Sequence, residues 1–215
     1  MSKDVTTIIT IDDHPLFRKG LTDLLEMEPA LSMIGEAADG KSGIELAKQL
    51  RPDLILLDLN MKGMDGLDTL KAIKQGDLDS HVIMLTVSDS EQDVVAALRA
   101  GADGYLLKDM EPEDTLDYLS QAAKGRLVIS DRLKELLAYT IRAEGDLGRK
   151  QQDELTEREK EIVDLISQGC SNKLVARKLE ISEGTVKVHV KHILKKLKLH
   201  SRIEVAVWAL SRNSS

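Results

Sequence analysis

The sequence predicts two folds in tandem. Residues 1–126 read as an α/β domain with a doubly wound, five-stranded parallel sheet, residues 127–153 as a linker helix and flexible linker, and residues 154–215 as an all-α, four-helix helix-turn-helix domain. Three observations carry this reading. Short apolar runs alternate with amphipathic stretches from residue 5 to about 125; periodicity vanishes across 143–152; and charge changes sign between the halves. Residues 1–153 hold eighteen Lys/Arg against twenty-nine Asp/Glu, net −11, whereas residues 154–215 hold twelve against eight, net +4. An acidic half and a basic half imply two tasks.

In order, the strands are Thr7–Ile11, Leu31–Ile34, Leu54–Leu57, Val82–Leu85 and Tyr105–Leu107. Between them Leu16, Phe17, Leu21, Leu24 and Leu25 recur at helical spacing, as do Leu67, Leu70 and Ile73, and then Val94, Val95 and Leu98. Nearly continuous apolar strands alternating with helices imply a parallel sheet covered on both faces. A helical pattern continues through Leu133, Leu136, Leu137 and Ile141 before the polar, two-glycine segment Ala143–Gln152. Thr156-Glu157-Arg158-Glu159 has the form of a capping box that opens a helix ending near Gly169. Three more helices follow at Asn172–Leu179, Gly184–Leu199 and Ser201–Leu210.

Open parallel sheets bind ligands at the carboxyl ends of their strands, where Asp12, Asp13, Asp58, Thr86 and Lys108 fall. Three ionised carboxylates brought together repel one another unless a cation joins them, and a hard divalent ion such as magnesium suits oxygen ligands. Asp58 could then attack phosphorus, with Lys108 and the metal neutralising the equatorial oxygens, to give an aspartyl phosphate. Thr86 offers a hydroxyl to a phosphoryl oxygen. A lone strand-end Asp is ordinarily a helix cap, and Asp13 before His14-Pro15 is a credible one. His14 is expected to open the helix rather than to bind metal, and Tyr105 to be a core aromatic.

Other motifs compete. Gly35-Glu36-Ala37-Ala38-Asp39-Gly40-Lys41-Ser42 satisfies the phosphate-loop pattern of an ATPase, but Glu36 and Asp39 would face phosphates there. A dehalogenase-type phosphatase needs a second acid where Asn60 stands, and an EF-hand is excluded by Lys62 and Thr69. No apolar run approaches the roughly eighteen residues of a membrane helix, and Met1-Ser2-Lys3-Asp4 lacks a signal-peptide core, so a cytoplasmic protein with no membrane association is expected. Cys170 is the sole cysteine, which excludes an intrachain disulfide.

Along Gly184–Leu199, Val186, Val190, Ile193, Leu194 and Leu197 make an apolar stripe while Lys187, Lys191, Lys195 and Lys198 recur on another face. A lysine face is usually just solvated, but here a short helix and a tight turn precede it, which is helix-turn-helix order. Lys187, Val188 and Lys191, near the helix start, are candidates to read base edges; Lys195, Lys198, Arg202, Lys173 and Arg177 are candidates for phosphates. With 2% aromatic residues, stacking on single strands is disfavoured, and double-stranded DNA is the expected partner.

Ile11-Asp12-Asp13-His14-Pro15, Leu56-Leu57-Asp58-Leu59-Asn60-Met61, Thr86 and Gly101–Lys108 resemble the receiver domain of two-component response regulators. Leu155–Glu159, Gly169, Asn172, Ala176, Leu179 and Thr185–His189 resemble the output domain of the NarL/FixJ family, which is LuxR-type. Within that family the likeness is greatest to nitrate/nitrite regulators, through Asp58–Met64, Gly104–Asp109 and Val186–His192. Lys62 and Asp109 depart from it, standing where many receivers have proline.

The resemblance implies a flavodoxin-like receiver and transfer to Asp58 from a sensor histidine kinase. It also implies magnesium held by Asp12, Asp13, Asp58 and the Asn60 backbone carbonyl, a switching role for Tyr105, and masking of the DNA-binding domain until phosphorylation. It further implies homodimer contacts through Ile203, Val207, Trp208 and Leu210, which could equally be local core. The expected activity is not enzymatic: the chain accepts a phosphoryl group, with at most slow self-dephosphorylation. The alternatives are a P-loop-like ATPase using Gly35–Ser42 and a DNA-binding protein with an inert receiver.

Overall fold

The computed structural model describes residues 5–123 apart from 77, 79 and 89, the pair 128–129, and residues 155–213 apart from 200. The chain divides into two compact units, Met1–Lys124 and Gly125–Ser215.

In the first unit the strands are β1 (Thr6–Ile11), β2 (Leu31–Ala37), β3 (Leu54–Leu57), β4 (His81–Thr86) and β5 (Gly104–Leu107). The helices are α1 (Pro15–Leu25), α2 (Gly40–Leu50), α3 (Gly66–Gln75), α4 (Glu91–Arg99) and α5 (Pro112–Ala123). All four pairings among these strands are parallel, in the order β2-β1-β3-β4-β5. The chain starts in the middle and reverses direction between β1 and β3, so the crevice opens where their carboxyl ends diverge. β3 is buried at every residue, as a central strand covered on both faces must be, whereas the edge strand β2 alternates in exposure.

The first unit thus holds the five parallel strands that the sequence predicts, and the second unit includes a two-residue strand, β6 (Val128–Ile129). It stands within the segment 127–153 read as linker helix and flexible linker. Two adjacent β-branched residues after Gly125 favour extended backbone. The predicted helix through Leu133, Leu136, Leu137 and Ile141, and the linker at 143–152, lie outside the described residues.

The second unit has α6 (Glu157–Ser167), α7 (Asn172–Leu179), α8 (Glu183–Leu197) and α9 (Arg202–Asn213). The capping box forms: the Thr156 side chain accepts from the Glu159 amide at 3.3 Å, and Glu159 Oε2 accepts from the Thr156 amide at 2.8 Å. Ser171 and Ser182 cap α7 and α8 in the same way, through the amides of Leu174 and Thr185. Left-handed residues, Glu180 and Lys198, end those two helices and turn the chain sharply. The core packs Ile162, Ile166, Val175, Val186, Ile193 and Trp208 together. Cys170 belongs to this core too, which is the structural role expected of a small apolar residue.

Candidate functional site

Hydrogen bonds to the sheet deliver the acids to one rim. The Asp12 amide donates to the Ala37 carbonyl at 3.0 Å, the Asp58 amide to the Ile11 carbonyl at 2.9 Å, and the Lys108 amide to the Thr86 carbonyl at 2.8 Å. These bonds extend the β2-β1-β3 and β4-β5 pairings by one residue. Lys108 Nζ consequently lies 2.7 Å from Asp12 Oδ2 and 2.8 Å from Asp58 Oδ2, and 4.8 Å from the centre of the Phe17 ring. Asp12, Asp58 and the Lys108 side chain are all buried, while Asp13 is partly exposed.

One ammonium among three carboxylates leaves the pocket negative. Burial pushes the Asp58 carboxyl above its ordinary range; Lys108 pulls it partly back, and Asp12 adds to the rise. Although Lys108 is close enough for an ion pair, Asp58 Oδ2 has no partner in hydrogen-bonding geometry, and neither has the buried Asp13 Oδ1. Buried carboxylate oxygens left in this condition fit a divalent cation. Asp12, Asp13, His14 and Asp58 all present ligand atoms within 4.8 Å of one another.

The loop after β3 is held close. Its Asn60 amide donates to Asp58 Oδ1 at 3.3 Å, and the Lys62 amide to Asp13 Oδ2 at 3.3 Å. Gly66 opens α3 so near to this loop that a Cβ there would stand 2.2 Å from the Asp58 carbonyl oxygen. Only glycine permits that approach. The predicted cap role of Asp13 is corrected: His14 occupies the cap position of α1, Pro15 follows as the first helical residue, and the Asp13 carboxylate is turned to Lys62 instead.

Thr86 is fully buried and its hydroxyl oxygen accepts from the Ser88 amide at 3.2 Å. The buried Tyr105 donates its hydroxyl to the Ser88 carbonyl at 2.8 Å, so threonine and tyrosine grip the same loop residue. Sequence reasoning missed Arg18, whose Nη1 donates to the Asp12 carbonyl at 2.6 Å while its Nε meets Glu36 at 3.1 Å. No local signal marks it, since the contact joins α1 to the ends of β1 and β2 only after folding.

The rival phosphate loop is absent. Gly35 lies within β2 opposite Ile9, and only Ala38 and Asp39 separate that strand from α2. Asp39 caps the helix through the Ser42 amide and hydroxyl, at 3.0 and 2.7 Å. Backbone amides that would cradle phosphate are thus committed to the strand and to the cap.

In the second unit, α8 exposes Lys187, Val188, Lys191 and Lys195, and Lys198 beyond its end is exposed as well. Lys173 and Arg177 are exposed on α7. Val188, 54% exposed, stands on the same lysine-lined face. Lys196 is different: it turns inward to Glu159 at 2.7 Å and ties α8 to the start of α6. Arg202 is half-buried, bonded to the Cys170 carbonyl and to Asn172 Oδ1, so its guanidinium braces the domain. Of the residues read as pairing contacts or local core, Trp208 lies in the domain core. Ile203 and Val207 are buried outside that core cluster, and Leu210 is exposed.

Comparisons with known proteins agree with both halves. The model of the response regulator receiver domain matches residues 8–120, and that of the luxR family of bacterial regulatory proteins matches 153–209. The chain is 53% identical over 207 residues to the nitrate/nitrite response regulator protein NarL of Escherichia coli (strain K12), covering 96% of each. It is 44% identical over 211 residues to NarP of the same organism, covering 97% of this chain and 96% of that one. Among solved structures, the RcsB–DNA complex matches with a TM-score of 0.58 at 25% identity, covering 96% of this chain and 98% of that one. The chain therefore belongs to the two-component response regulators that join a receiver to a LuxR-type DNA-binding domain, and it is a transcription regulator of that family.

Proposed function

We propose that Asp58 accepts a phosphoryl group from the phosphohistidine of a sensor histidine kinase and that this event controls DNA binding by α8. An Asp58 oxygen attacks phosphorus in line with the P–N bond, whose electron pair leaves on the imidazole nitrogen. Asp12, Asp13, Asp58 and the Asn60 carbonyl would hold magnesium, whose charge offsets that of the equatorial oxygens. Lys108 keeps an ammonium beside the same oxygens. The Thr86 hydroxyl donates to one of them, releasing the Ser88 amide; Tyr105, bonded to Ser88, moves with the loop. The observation that carries this reading is the buried, cation-deficient Asp58 with Lys108 at 2.8 Å.

On the output side, Lys187, Val188 and Lys191 read base edges while Lys195, Lys198, Lys173 and Arg177 meet phosphates. Arg202 braces Asn172 and contributes to the phosphate contacts of α7 through it. Phosphorylation relieves masking of the DNA-binding domain and favours pairing through α9, with the exposed Leu210 at the contact. NarL and NarP are nitrate/nitrite regulators, and we extend that signal to this chain, with promoters of anaerobic respiration as targets. Its place of work is the cytoplasm, and among the described residues no helix is long and apolar enough to cross a membrane.

DNA affinity of the full-length protein tests this. Acetyl phosphate with magnesium is expected to raise affinity for a promoter fragment by about 5–150-fold, the usual range of such coupling, and Asp58→Asn is expected to abolish the gain. An equal gain in the variant would remove Asp58 from the switch.

A further inference from the structure

The His14 side chain is placed where neither helix capping nor packing requires it. It makes no cap hydrogen bond to α1, and 63% of it is exposed. Its Nδ1 nevertheless lies 3.1 Å from Asp12 Oδ1, 3.0 Å from Asp13 Oδ1 and 3.7 Å from Asp58 Oδ2. Two neighbouring ligands on an octahedral ion with bonds of about 2.1 Å stand about 3 Å apart, a spacing met by the Asp12 and Asp13 contacts, the first of which is a hydrogen bond when no ion lies between. The second observation is the buried Asp58 Oδ2, which has the Lys108 ammonium at 2.8 Å but no partner in hydrogen-bonding geometry.

We infer that His14 is a nitrogen ligand of this pocket and that it gives the site a preference for a divalent d-block cation, such as manganese or cobalt, over magnesium. Magnesium takes oxygen ligands and gains little from imidazole, whereas affinity for a mixed nitrogen and oxygen set rises along the first transition row. With Asp12, Asp13 and Asp58 the ring completes a set of three carboxylates and one imidazole. The inference rests on the reading that those three acids hold a cation, and adds to it the residue that selects which one.

The test uses the full-length, unphosphorylated protein with Mn²⁺ for pulsed electron paramagnetic resonance, and Co²⁺ and Mg²⁺ for calorimetric titration. Wild type is expected to show ¹⁴N coupling to Mn²⁺ that excess Mg²⁺ removes, which separates this site from histidines elsewhere. His14→Ala should lose that coupling and bind Co²⁺ about tenfold or more weakly, with Mg²⁺ affinity within about twofold. His14→Gln, which preserves the side chain's bulk and polarity, should behave likewise. Mn²⁺ bound without ¹⁴N coupling, or His14 variants that change both affinities equally or neither, would overturn the inference. Asp13→Asn keeps the two readings apart. If it weakens every metal while the His14 variants change nothing, only the inference fails; if it weakens none, the pocket reading itself fails.

Discussion

At the carboxyl end of the receiver sheet, Asp12, Asp13 and Asp58 surround one ammonium, that of Lys108; at the amino end, Asp103 alone is met by two basic side chains, those of Lys74 and His81. Asp103 Oδ2 accepts from Lys74 Nζ at 2.5 Å and from the Val82 amide at 2.8 Å, and His81 Nδ1 lies 3.6 Å from Oδ1. Burial pushes both Asp58 and Asp103 toward the neutral form. At Asp103 the charges of Lys74 and His81 prevail and hold the carboxyl well below its usual range, whereas Asp58 stays above it. The matched carboxylate is a staple that joins α3, β4 and the turn before β5. The unmatched cluster carries more carboxylates than its one ammonium offsets and could hold a cation.

The largest expected effect lies at the matched end. Asp103→Asn leaves the half-buried Lys74 without its counterion and should destabilise the receiver by about 3 kcal/mol, lowering Tm by on the order of 10 °C. Because the folded carboxyl is depressed, its stabilisation is complete above the ordinary value of 3.8 and is lost as pH falls below it. Thermal melts of variant and wild type should therefore converge only in strong acid. A gap that narrowed at neutral pH would break the comparison.

At the unmatched end the signs reverse. Magnesium at ten times its Kd should stabilise the wild type by ~1.4 kcal/mol, and Asp58→Asn should shrink that gain. Without metal, Asp58→Asn should itself stabilise the protein by about 1 kcal/mol at pH 7, since function rather than stability keeps the charge there. The raised folded pKa means that Asp58 favours the folded state when protonated, below 3.8, and loses that contribution as pH rises through the folded value. The advantage of the variant should accordingly vanish in acid. A destabilised Asp58→Asn would place Asp58 with Asp103 among the staples.

A smaller contrast in the DNA-binding domain sharpens the same rule. Lys196→Ala removes the ion pair to Glu159 and should cost about 1 kcal/mol of stability with no change in the salt dependence of DNA binding. Lys195→Ala, on the exposed face, should leave Tm in place and weaken DNA binding, lowering the salt slope by about 0.9 for its one phosphate. The reverse pattern would exchange their roles.

Much of this was legible before folding, for local reasons. Leu54–Leu57 forms β3 residue for residue, because a doubly covered strand has no polar alternation to blur its ends. Thr156 and Glu159 announce their box because both partners lie within one helical turn. Asp12, Asp58 and Lys108 were visible as the residues that end apolar strands. What was hidden depends on distance in sequence: Arg18 reaching Glu36, Lys74 reaching Asp103, and the Asp13 carboxylate leaving its expected cap for the Lys62 amide. The sequence places His14 at the helix start, where its backbone lies; the approach of its ring to the acids is set by Asp12 Oδ1, which accepts from the His14 amide and meets Nδ1.

The most direct measurement is the intact mass of the full-length protein after incubation with acetyl phosphate and magnesium. The account predicts a gain of one phosphoryl group in the wild type and none in Asp58→Asn. An equal gain in the variant, or no gain in the wild type, would contradict the claim that unmatched charge at this rim exists to receive phosphorus.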